Sequence, residues 1–410
     1  MYKFEIQPQN YNDPWSYSFE ERLKLLAKGH RRVAYYYENP DNSTFRYRVY
    51  NMIQVLQVMK DGTSATYFTQ NELDYLEKVV DIADVLVICR ARYNDKLNRA
   101  INKARCKNKM VFFDIDDLIF DPAYIHLILD TLDQDLSNPN VWDFWFAYVG
   151  RLGMTMKLCD EIITTNEYLA SHIREFADKP VSIIPNFLNQ EQIEISNRIY
   201  REKRSKGFER TNQIHLGYFS GTPTHNKDFD VVADSLAKLL QIDSRIVLRV
   251  VGFMDLKGQL QNYQSRIEII PLCDFVNLQR LIGEVEINLI PLQDNEFTNC
   301  KSDLKYFEAS AVGTISVASP TYIYSKSIID NENGFLAKSY EWYEKLLTLL
   351  DKIVVFPEII ERAYIDCEQR YAWYKQISLV EHILFPEKNE PYSQEEHHCG
   401  HTKLNEYKTI

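Results

Sequence analysis

The sequence predicts an α/β protein with two domains, each built on a parallel sheet. The chain has 410 residues, which is too long for one ordinary hydrophobic core and is typical of two domains. Short apolar runs alternate with helical stretches in both halves, and this alternation indicates βαβ units and parallel strands. The charged residues 189–212, with few large apolar side chains, predict the domain boundary, although an exposed helix has the same composition.

Five apolar runs in the first half predict strands, and two intervening stretches predict helices. The strands, in chain order, are RRVAYYY, ADVLVICR, KMVFFDID, CDEIITTN and VSIIPN. The helices are expected through YRVYNMIQVLQVM and through the basic segment NDKLNRAINKARCKNK. The first half therefore predicts a parallel sheet with helices packed on it.

The second half repeats the alternation. Its strands are expected at IHLGYFSG, RIVLRVVG, RIEIIPL, INLIPL and TISVAS, and its helices at VVADSLAKLLQ, VNLQRLIGE and SDLKYFEASAVG. Further helical segments at 340–352 and 358–384 close the fold. We therefore predict domains at 1–205 and 206–356, closing helices at 357–390 and a polar tail at 391–410. The tail contains His397, His398, Cys399 and His401, and its polar composition favours disorder over a metal site.

Composition and charge narrow the class of protein. The chain is 45% hydrophobic and 26% charged, as in ordinary globular proteins, and its formal net charge of −11 argues against binding to nucleic acid. No apolar run approaches the roughly 20 residues of a membrane span, and the N-terminus lacks the basic-then-apolar order of a secretory signal.

Seven Cys occur without a C-x-x-C pair, which favours free thiols in a reducing, cytoplasmic compartment. Many Tyr and Phe side chains either stack on sugar or base rings or simply occupy half-buried positions.

An acidic stretch, FFDIDDLIFD, follows the third predicted strand. Its carboxylates are Asp114, Asp116, Asp117 and Asp121, which stand among apolar residues where a buried strand carries no charge. If the strand runs straight, Asp114 and Asp116 share one side and Asp117 points away. The residues alone allow a metal site, a phosphatase nucleophile, a sugar contact or a structural acidic loop.

Two segments of the second half carry candidate anion sites. In YFSGTPTHNKDFD, Gly221 and Thr222 stand between a strand and a helix whose N-terminus can receive an anion, and Lys227 adds positive charge. A plain strand–helix turn explains this segment equally well.

In KSDLKYFEASAVG, Ser302 is a plausible N-cap and Gly313 a stop signal. Lys301, Lys305 and Glu308 share one side of the intervening helix at i, i+4 and i+7. Two cations beside a carboxylate suit a diphosphate and a ribose diol, whereas a surface ion pair is the structural alternative.

The order of these segments resembles the GT-B glycosyltransferases, specifically the retaining family 4 type (glycosyl transferases group 1) that uses nucleotide-sugar donors. The resemblance is strongest in IITTNEYLASHIREF with VSIIPNFLN, in YFSGTPTHNKDFDVVADSLAKLL, and in INLIPLQDN with KSDLKYFEASAVGTISVAS. It implies two Rossmann-like domains facing each other across a cleft, with the last helix crossing back to the N-terminal domain. It also implies a donor nucleotide on the C-terminal domain, an acceptor on the N-terminal domain and no required metal or other cofactor.

The resemblance assigns roles to several residues. Glu308 matches the glutamate that binds the ribose hydroxyls, and Lys227 and Gly221 match the lysine and glycine at the diphosphate. Thr222 stands where the family has an arginine, and Cys300 replaces a glutamate eight residues before Glu308. Lys301 or Lys305 is expected to supply the missing cation.

The same resemblance bears on the acidic stretch. Asp116 stands where many family members have a histidine that faces the donor sugar, so we expect Asp116 to face the sugar and to stabilise oxocarbenium character. Asp117 is an acceptor-side candidate, as are Arg46 and Arg48 after the first strand, although both arginines are equally compatible with an ordinary helix surface. The phosphatase alternative makes Asp114 the nucleophile and Asp116 the acid/base.

The resemblance thus implies a glycosyltransferase that moves a hexosyl or deoxyhexosyl group from a nucleotide diphosphate to a glycan, lipid-linked glycan or glycoprotein, and the free thiols favour a cytoplasmic location. The implied catalytic residues are Asp116 and Lys227, and bacterial surface-polysaccharide synthesis is the implied setting. Peripheral association with a membrane is compatible with this prediction. The alternatives are a haloacid-dehalogenase-like phosphatase and a non-catalytic nucleotide-sugar-binding relic.

Overall fold

Two parallel six-stranded sheets, one in each half of the chain, form the core of the architecture. The structure is a computed structural model and describes residues 1–41, 43–221 and 226–386. Helices cover both sides of each sheet, as parallel strands buried on both faces require. The predicted α/β class with two Rossmann-like domains is confirmed.

The N-terminal sheet has the strand order β2-β1-β3-β4-β5-β6. Its strands are β1 (Arg31–Tyr36), β2 (Thr63–Phe68), β3 (Val85–Cys89), β4 (Met110–Asp114), β5 (Glu161–Thr164) and β6 (Val181–Ile183). Its helices are α1 (Phe19–Ala27), α2 (Asn51–Gln57), α3 (Leu76–Ile82), α4 (Asp95–Cys106), α5 (Ile125–Thr131), α6 (Pro139–Leu158), α7 (Glu167–Ala177) and α8 (Gln190–Ser205). Strand β2 has the sequence TSATYF and was not predicted, because its small polar residues do not form an apolar run, yet all six are buried.

The C-terminal sheet has the order β12-β11-β10-β7-β8-β9. Its strands are β7 (Ile214–Ser220), β8 (Ile246–Gly252), β9 (Ile267–Ile270), β10 (Ile287–Ile290), β11 (Ile315–Ala318) and β12 (Phe335–Leu336). Its helices are α9 (Asn226–Ile242), α10 (Phe275–Glu284), α11 (Glu296–Asn299), α12 (Leu304–Ala311), α13 (Tyr322–Ser327), α14 (Trp342–Asp351), α15 (Phe356–Tyr371) and α16 (Ile377–Leu384). The two-residue strand β12 is too short to be seen as a sequence pattern.

Each sheet contains a point where the direction of strand addition reverses. In the N-terminal sheet β1 pairs with both β2 and β3, and in the C-terminal sheet β7 pairs with both β8 and β10. Ligands of open α/β sheets bind beyond the carboxyl ends of the strands at such points. The loops after β1, β3, β7 and β10 are therefore the places to look for a site.

The charged segment 189–212 holds helix α8, which begins with a capping box on Asn189. Its Lys203 is fully buried and donates hydrogen bonds to the backbone carbonyls of Gly283, Val312 and Gly313 at 2.9, 2.8 and 2.6 Å. The charge in this segment is thus partly structural, because it ties α8 to two helix ends of the C-terminal domain. The exact domain boundary stays a prediction.

The end of the described chain returns to the N-terminal domain. The backbone N–H of Leu188 donates to the Tyr371 carbonyl at 2.8 Å, where α15 ends. Beyond it, Arg31 pairs with Glu381 of α16 at 2.9 Å and lies 3.8 Å from the centroid of the Phe385 ring. The crossing predicted from the resemblance is present. Residues 387–410, which include the four tail residues with metal-binding side chains, lie outside the described residues.

Among the residues described, none of the helices is both long and apolar enough to cross a membrane.

Candidate active site

The first carboxylate of the acidic stretch is structural. Asp114 is the last residue of β4 and is fully buried, and the Arg48 guanidinium binds both of its oxygens, with N–O distances of 2.8 and 3.0 Å. Arg48 also donates to the Ile184 carbonyl at 2.7 Å and to the Asn186 side-chain oxygen at 3.2 Å. Burial raises the pKa of Asp114 to about 6, although Arg48 acts to lower it. Arg48 was predicted on the acceptor side, but it is wholly buried and cannot contact an acceptor.

The next two carboxylates share one cation. Arg90 donates to Asp116 at 3.0 Å and to Asp117 at 3.3 Å, and the Thr44 hydroxyl donates to Asp116 at 3.1 Å. Burial raises the pKa of Asp116, while Arg90 acts against it. The prediction that Asp117 points away from Asp116 is wrong, because β4 ends at Asp114 and the chain no longer alternates as a strand. The fourth carboxylate, Asp121, caps a short turn by accepting from the Ala123 N–H at 2.9 Å.

Sequence reasoning missed Arg90. It follows β3, which lies beside β4 with Cys89 opposite Asp114, and its backbone N–H donates to the Asp114 carbonyl at 2.9 Å. The available signal was topological, since charged residues just after neighbouring parallel strands meet at one edge of the sheet.

Glu308 of α12 is buried against the N-terminal domain. Its Oε1 accepts hydrogen bonds from the Tyr47 hydroxyl, from Arg46 at 3.4 Å and from Gln192 of α8 at 3.4 Å. Arg46 and Tyr47 lie on a π-helical turn, Arg46–Tyr50, that leads into α2, and such turns occur frequently at functional sites. Arg46 was predicted on the acceptor side; like Glu308 it is 4% exposed and buried where the two domains meet, and its acceptor role stays a prediction.

The two lysines near the start of α12 lie in a region of mixed charge. Burial lowers the pKa of Lys305 to about 8, and Asp228 opposes this shift while Lys301 adds to it. Asp228, the third residue of α9, accepts from the backbone and side chain of Gln293 at 3.1 and 3.2 Å. Lys305 on α12 therefore interacts electrostatically with Lys301, which precedes that helix, and with Asp228 on α9.

The start of α12 differs from the prediction. Its N-cap is Asp303 and not Ser302, and the buried Asp303 carboxylate accepts from the hydroxyls of Ser327 and Tyr371. The Ser302 hydroxyl instead accepts from Asn186 of the N-terminal domain at 2.9 Å. The predicted stop at Gly313 is correct, with a left-handed φ of 66°.

Lys227 reaches across to the other domain. Its ammonium group donates to Asp130 of α5 at 2.8 Å, and both side chains are partly exposed. Gly221 is exposed at the end of β7. Thr222 lies outside the described residues, so its predicted contact with the donor stays a prediction.

The residue that replaces the family's second glutamate is buried. Cys300, just after α11, is 0% exposed and packs with Phe297 into an apolar cluster of the N-terminal domain. Its carbonyl accepts from Asn166 at 3.0 Å. Burial raises the pKa of the Cys300 thiol, and Asp117 raises it further, which places the acidic pair within electrostatic reach of the residue before Lys301.

Across residues 1–41, 43–221 and 226–386, no group of three or more His, Cys, Asp or Glu side chains is arranged to hold a metal ion.

The fold and site define a class of protein: two Rossmann-like domains with cationic side chains of the C-terminal one opposite an acidic loop of the N-terminal one. Residues 213–352 match the family model described as glycosyl transferases group 1. The C-terminal half is therefore similar to the group 1 glycosyltransferases, and the two sheets together have the GT-B fold. No curated protein sequence matches this chain.

Solved structures share this fold at low sequence identity. HepE of Anabaena, crystallised with UDP, superposes with a TM-score of 0.58 at 13% identity, over 86% of this chain and 99% of that one. Sucrose-phosphate synthase from Thermosynechococcus elongatus gives 0.57 at 13% identity, over 86% and 98%. The pneumococcal O-GlcNAc transferase GtfA, with UDP and GlcNAc, gives 0.51 at 11% identity, over 78% and 61%.

Proposed function

We propose that this enzyme transfers a hexosyl or deoxyhexosyl group from a UDP-sugar to a glycan, lipid-linked glycan or glycoprotein, with retention of anomeric configuration. The choice of UDP as the donor nucleotide is supported by its presence in the similar HepE and GtfA structures. The acceptor class and a role in bacterial surface-polysaccharide synthesis follow from the resemblance of the sequence segments. Glu308 is the proposed ribose ligand.

One observation carries the proposal: the segment that holds Lys301 and leads into α12 lies against the N-terminal domain, where Asn166 donates to the Cys300 carbonyl at 3.0 Å and Asn186 donates to the Ser302 hydroxyl at 2.9 Å. Asp117 acts electrostatically on Cys300, and the next residue is Lys301. On the far side of Lys301, Lys305 interacts with Asp228 of α9. We propose that a nucleotide diphosphate bound at these lysines directs its sugar toward Asp116 and Asp117.

The chemistry follows from where charge develops. When the bond between the anomeric carbon and the diphosphate oxygen breaks, negative charge grows on the leaving diphosphate and positive charge grows on the sugar. Lys227, Lys301 and Lys305 are proposed to stabilise the first, and Asp116 the second. Fixed charges that match these developing charges accelerate the reaction without a protein nucleophile.

The phosphatase alternative is disfavoured by the state of its nucleophile. Asp114 is fully buried and both of its carboxylate oxygens are bound by Arg48, so a phosphate ester cannot reach it. The relic alternative rests on two replacements, Thr222 for an arginine and Cys300 for a glutamate. A measurement of sugar transfer distinguishes an active glycosyltransferase from a protein that only binds the nucleotide sugar.

The test is a thermal-shift screen of UDP, GDP, dTDP and CMP conjugates, followed by detection of released nucleotide. A ligand at 100 times its dissociation constant stabilises the folded protein by about 2.7 kcal/mol. We expect a shift with a UDP-sugar and slow release of UDP. Stabilisation without turnover on any acceptor supports the relic, and hydrolysis of p-nitrophenyl phosphate by the parent supports the phosphatase.

A further inference from the structure

The proposed donor site contains one lysine whose side chain has no fixed polar partner. Lys301 lies in the segment 300–303, which connects α11 to α12 and belongs to no helix or strand. Within the part of the chain that the structure describes, its ammonium group makes no hydrogen bond or ion pair, and it lies 4.8 Å from the centroid of the Phe297 ring. An unpaired cation suits an anionic ligand, but its place in the site depends on how the backbone of the segment is held.

Two asparagines of the N-terminal domain hold the segment on either side of Lys301. The Asn166 side chain donates to the Cys300 carbonyl at 3.0 Å and to the Lys301 carbonyl at 3.4 Å. The Asn186 side chain donates to the Ser302 hydroxyl at 2.9 Å. Asn166 and Asn186 are 4% and 2% exposed, and hydrogen bonds in such buried surroundings are stronger than in water. A lysine of the C-terminal domain is therefore held in part by the opposite domain.

The far end of the segment is fixed by a buried carboxylate. Asp303 is 3% exposed and accepts a hydrogen bond from the Tyr371 hydroxyl. The Tyr371 carbonyl accepts from the backbone N–H of Leu188 at 2.8 Å, and Leu188 follows Asn186 by two residues. The segment 300–303 and the chain around Asn186 are thus joined twice, once through Ser302 and once through Tyr371.

The orientation of the Asn186 amide is set by Arg48. A guanidinium group can only donate, so the Asn186 oxygen accepts from Arg48 at 3.2 Å and the amide nitrogen faces Ser302. Arg48 in turn binds both oxygens of Asp114. One hydrogen-bonded path therefore runs from the end of β4, across Asn186, to the residue after Lys301.

This path joins the two charges that the proposed reaction uses. Asp116, proposed to face the sugar, follows Asp114 by two residues, and Lys301, proposed to meet the diphosphate, precedes Ser302 by one. Transfer requires both groups to be in place at the same time, and a misplacement of about 1 Å can cost on the order of 10² in rate. A buried amide that fixes one side of the cleft against the other therefore affects both binding and turnover.

We propose that Asn186 is a positioning residue for the transfer. It holds the segment 300–303, and through it Lys301, in a fixed position relative to the acidic loop. Asn186 is 2% exposed and both ends of its amide are bound by protein groups, so it acts through Lys301 and does not touch the substrate. This inference rests on the proposed function, because it adds a residue to the same donor site.

The experiment uses Asn186→Leu, which keeps the approximate volume of the side chain and removes both of its polar atoms. It is compared with the parent, with Lys301→Ala and with the double variant. Ser64→Ala is the matched control, because it removes one buried hydrogen bond of the N-terminal domain, to the Leu26 carbonyl at 2.6 Å. Ser64 lies at the amino end of β2, away from the carboxyl ends of the strands. Asn186→Ala serves if Asn186→Leu melts far below the parent.

Two measurements are made on these proteins. Hydrogen–deuterium exchange of peptides that cover 300–303, without nucleotide, reports how firmly the segment is held. Calorimetric titration with UDP and with uridine reports whether the effect reaches the diphosphate.

We expect Asn186→Leu to show faster exchange in 300–303 and a UDP affinity roughly three- to tenfold below that of the parent, the effect of one orienting hydrogen bond. Uridine affinity should be unchanged. In the Lys301→Ala background the same substitution should lower UDP affinity by less than about twofold, because the effects of residues that act through one another do not add. Ser64→Ala should match the parent in both measurements.

Unchanged exchange in 300–303 overturns the inference, and so does an equal loss of affinity for UDP and uridine. A loss of UDP affinity that is as large in the Lys301→Ala background as in the parent also overturns it, because Asn186 would then act independently of Lys301. A parent that binds no UDP overturns the proposed function. Exchange is read without nucleotide, so it decides separately whether Asn186 positions the segment.

Discussion

The Tyr47 hydroxyl of the N-terminal domain donates a hydrogen bond to the Glu308 carboxylate of the C-terminal domain. Arg46 and Gln192 donate to the same carboxylate oxygen. The residue proposed to bind the ribose is therefore oriented by the opposite domain and by the helix that joins the two. Nucleotide binding and contact between the domains are expected to depend on each other.

Glu308→Gln is expected to weaken UDP binding by about 1–3 kcal/mol, the range for a hydrogen bond to a charged group. Tyr47→Phe removes only a group that orients Glu308, so it is expected to weaken binding less. Titration calorimetry on both single variants and the double variant gives the coupling energy between the two residues. Unchanged UDP affinity in a Glu308→Gln protein that melts like the parent would remove Glu308 from the donor site.

Lys227→Ala is expected to weaken binding of UDP much more than binding of uridine, because the lysine acts on the diphosphate. Lys227 binds Asp130 across the cleft, so Asp130→Asn is the matched control and removes the pair without removing the cation. UDP affinity in Asp130→Asn should equal or exceed that of the parent. An equal loss for UDP and uridine in Lys227→Ala would show that the lysine supports the loop and does not contact the phosphates.

Because the pKa of Lys305 is lowered, we expect UDP binding to depend on pH. Burial lowers the pKa of its ammonium group to about 8, and a lysine is charged below its pKa, so its attraction for a diphosphate is lost as pH rises through that value. UDP affinity should fall by roughly tenfold between pH 7 and 9, while uridine affinity stays constant. Arginine remains charged in this range, so Lys305→Arg should bind UDP with little pH dependence. If it shows the parent's profile, another group is responsible.

The sequence was sufficient to predict most of the fold, for a physical reason. Parallel strands buried on both faces appear as apolar runs, and ten of these runs were recognised. Strands β2 and β12 were not predicted. The sequence of β2, TSATYF, has mostly small and polar side chains, and β12 has only two residues. The helix face shared by Lys301, Lys305 and Glu308 could be predicted because it depends only on the spacing of residues that are close together in the chain.

The hydrogen-bond and ion-pair partners of the site residues could not be predicted from the sequence. Tyr47 and Glu308, like Asp130 and Lys227, lie far apart in the chain and meet only when the two domains come together. Arg46 and Arg48 looked equivalent, but the π-helical turn directs one to Glu308 and the other to Asp114. No local pattern distinguishes them.

Arg48→Met is expected to destabilise the protein by about 3–5 kcal/mol near neutral pH, because it leaves the Asp114 carboxylate buried without a partner. With Arg48 present the pKa of Asp114 is raised to about 6, and Arg48 acts to lower it. Removal of Arg48 therefore raises the pKa of Asp114 further, so the buried carboxyl takes up a proton and the loss should shrink as pH falls. Urea unfolding at about pH 7.5 and pH 5 measures both effects. The control is Arg245→Met, which breaks the exposed pair with Asp243 and should cost less than about 1 kcal/mol. Equal costs for both variants would contradict the structural role of Asp114.

The most direct test of the account is the rate of UDP release from a UDP-sugar by Asp116→Asn, compared with the parent, at saturating donor and in the presence of EDTA. This substitution keeps the shape of the side chain and removes its charge. We predict that the dissociation constant for UDP is unchanged, that the parent is active despite EDTA, and that the variant is slower by about 10²–10³, the usual cost of one electrostatic contact to a transition state. A parent inactivated by EDTA and restored by magnesium or manganese would contradict the central claim, because the aspartates would then serve a metal and not the sugar.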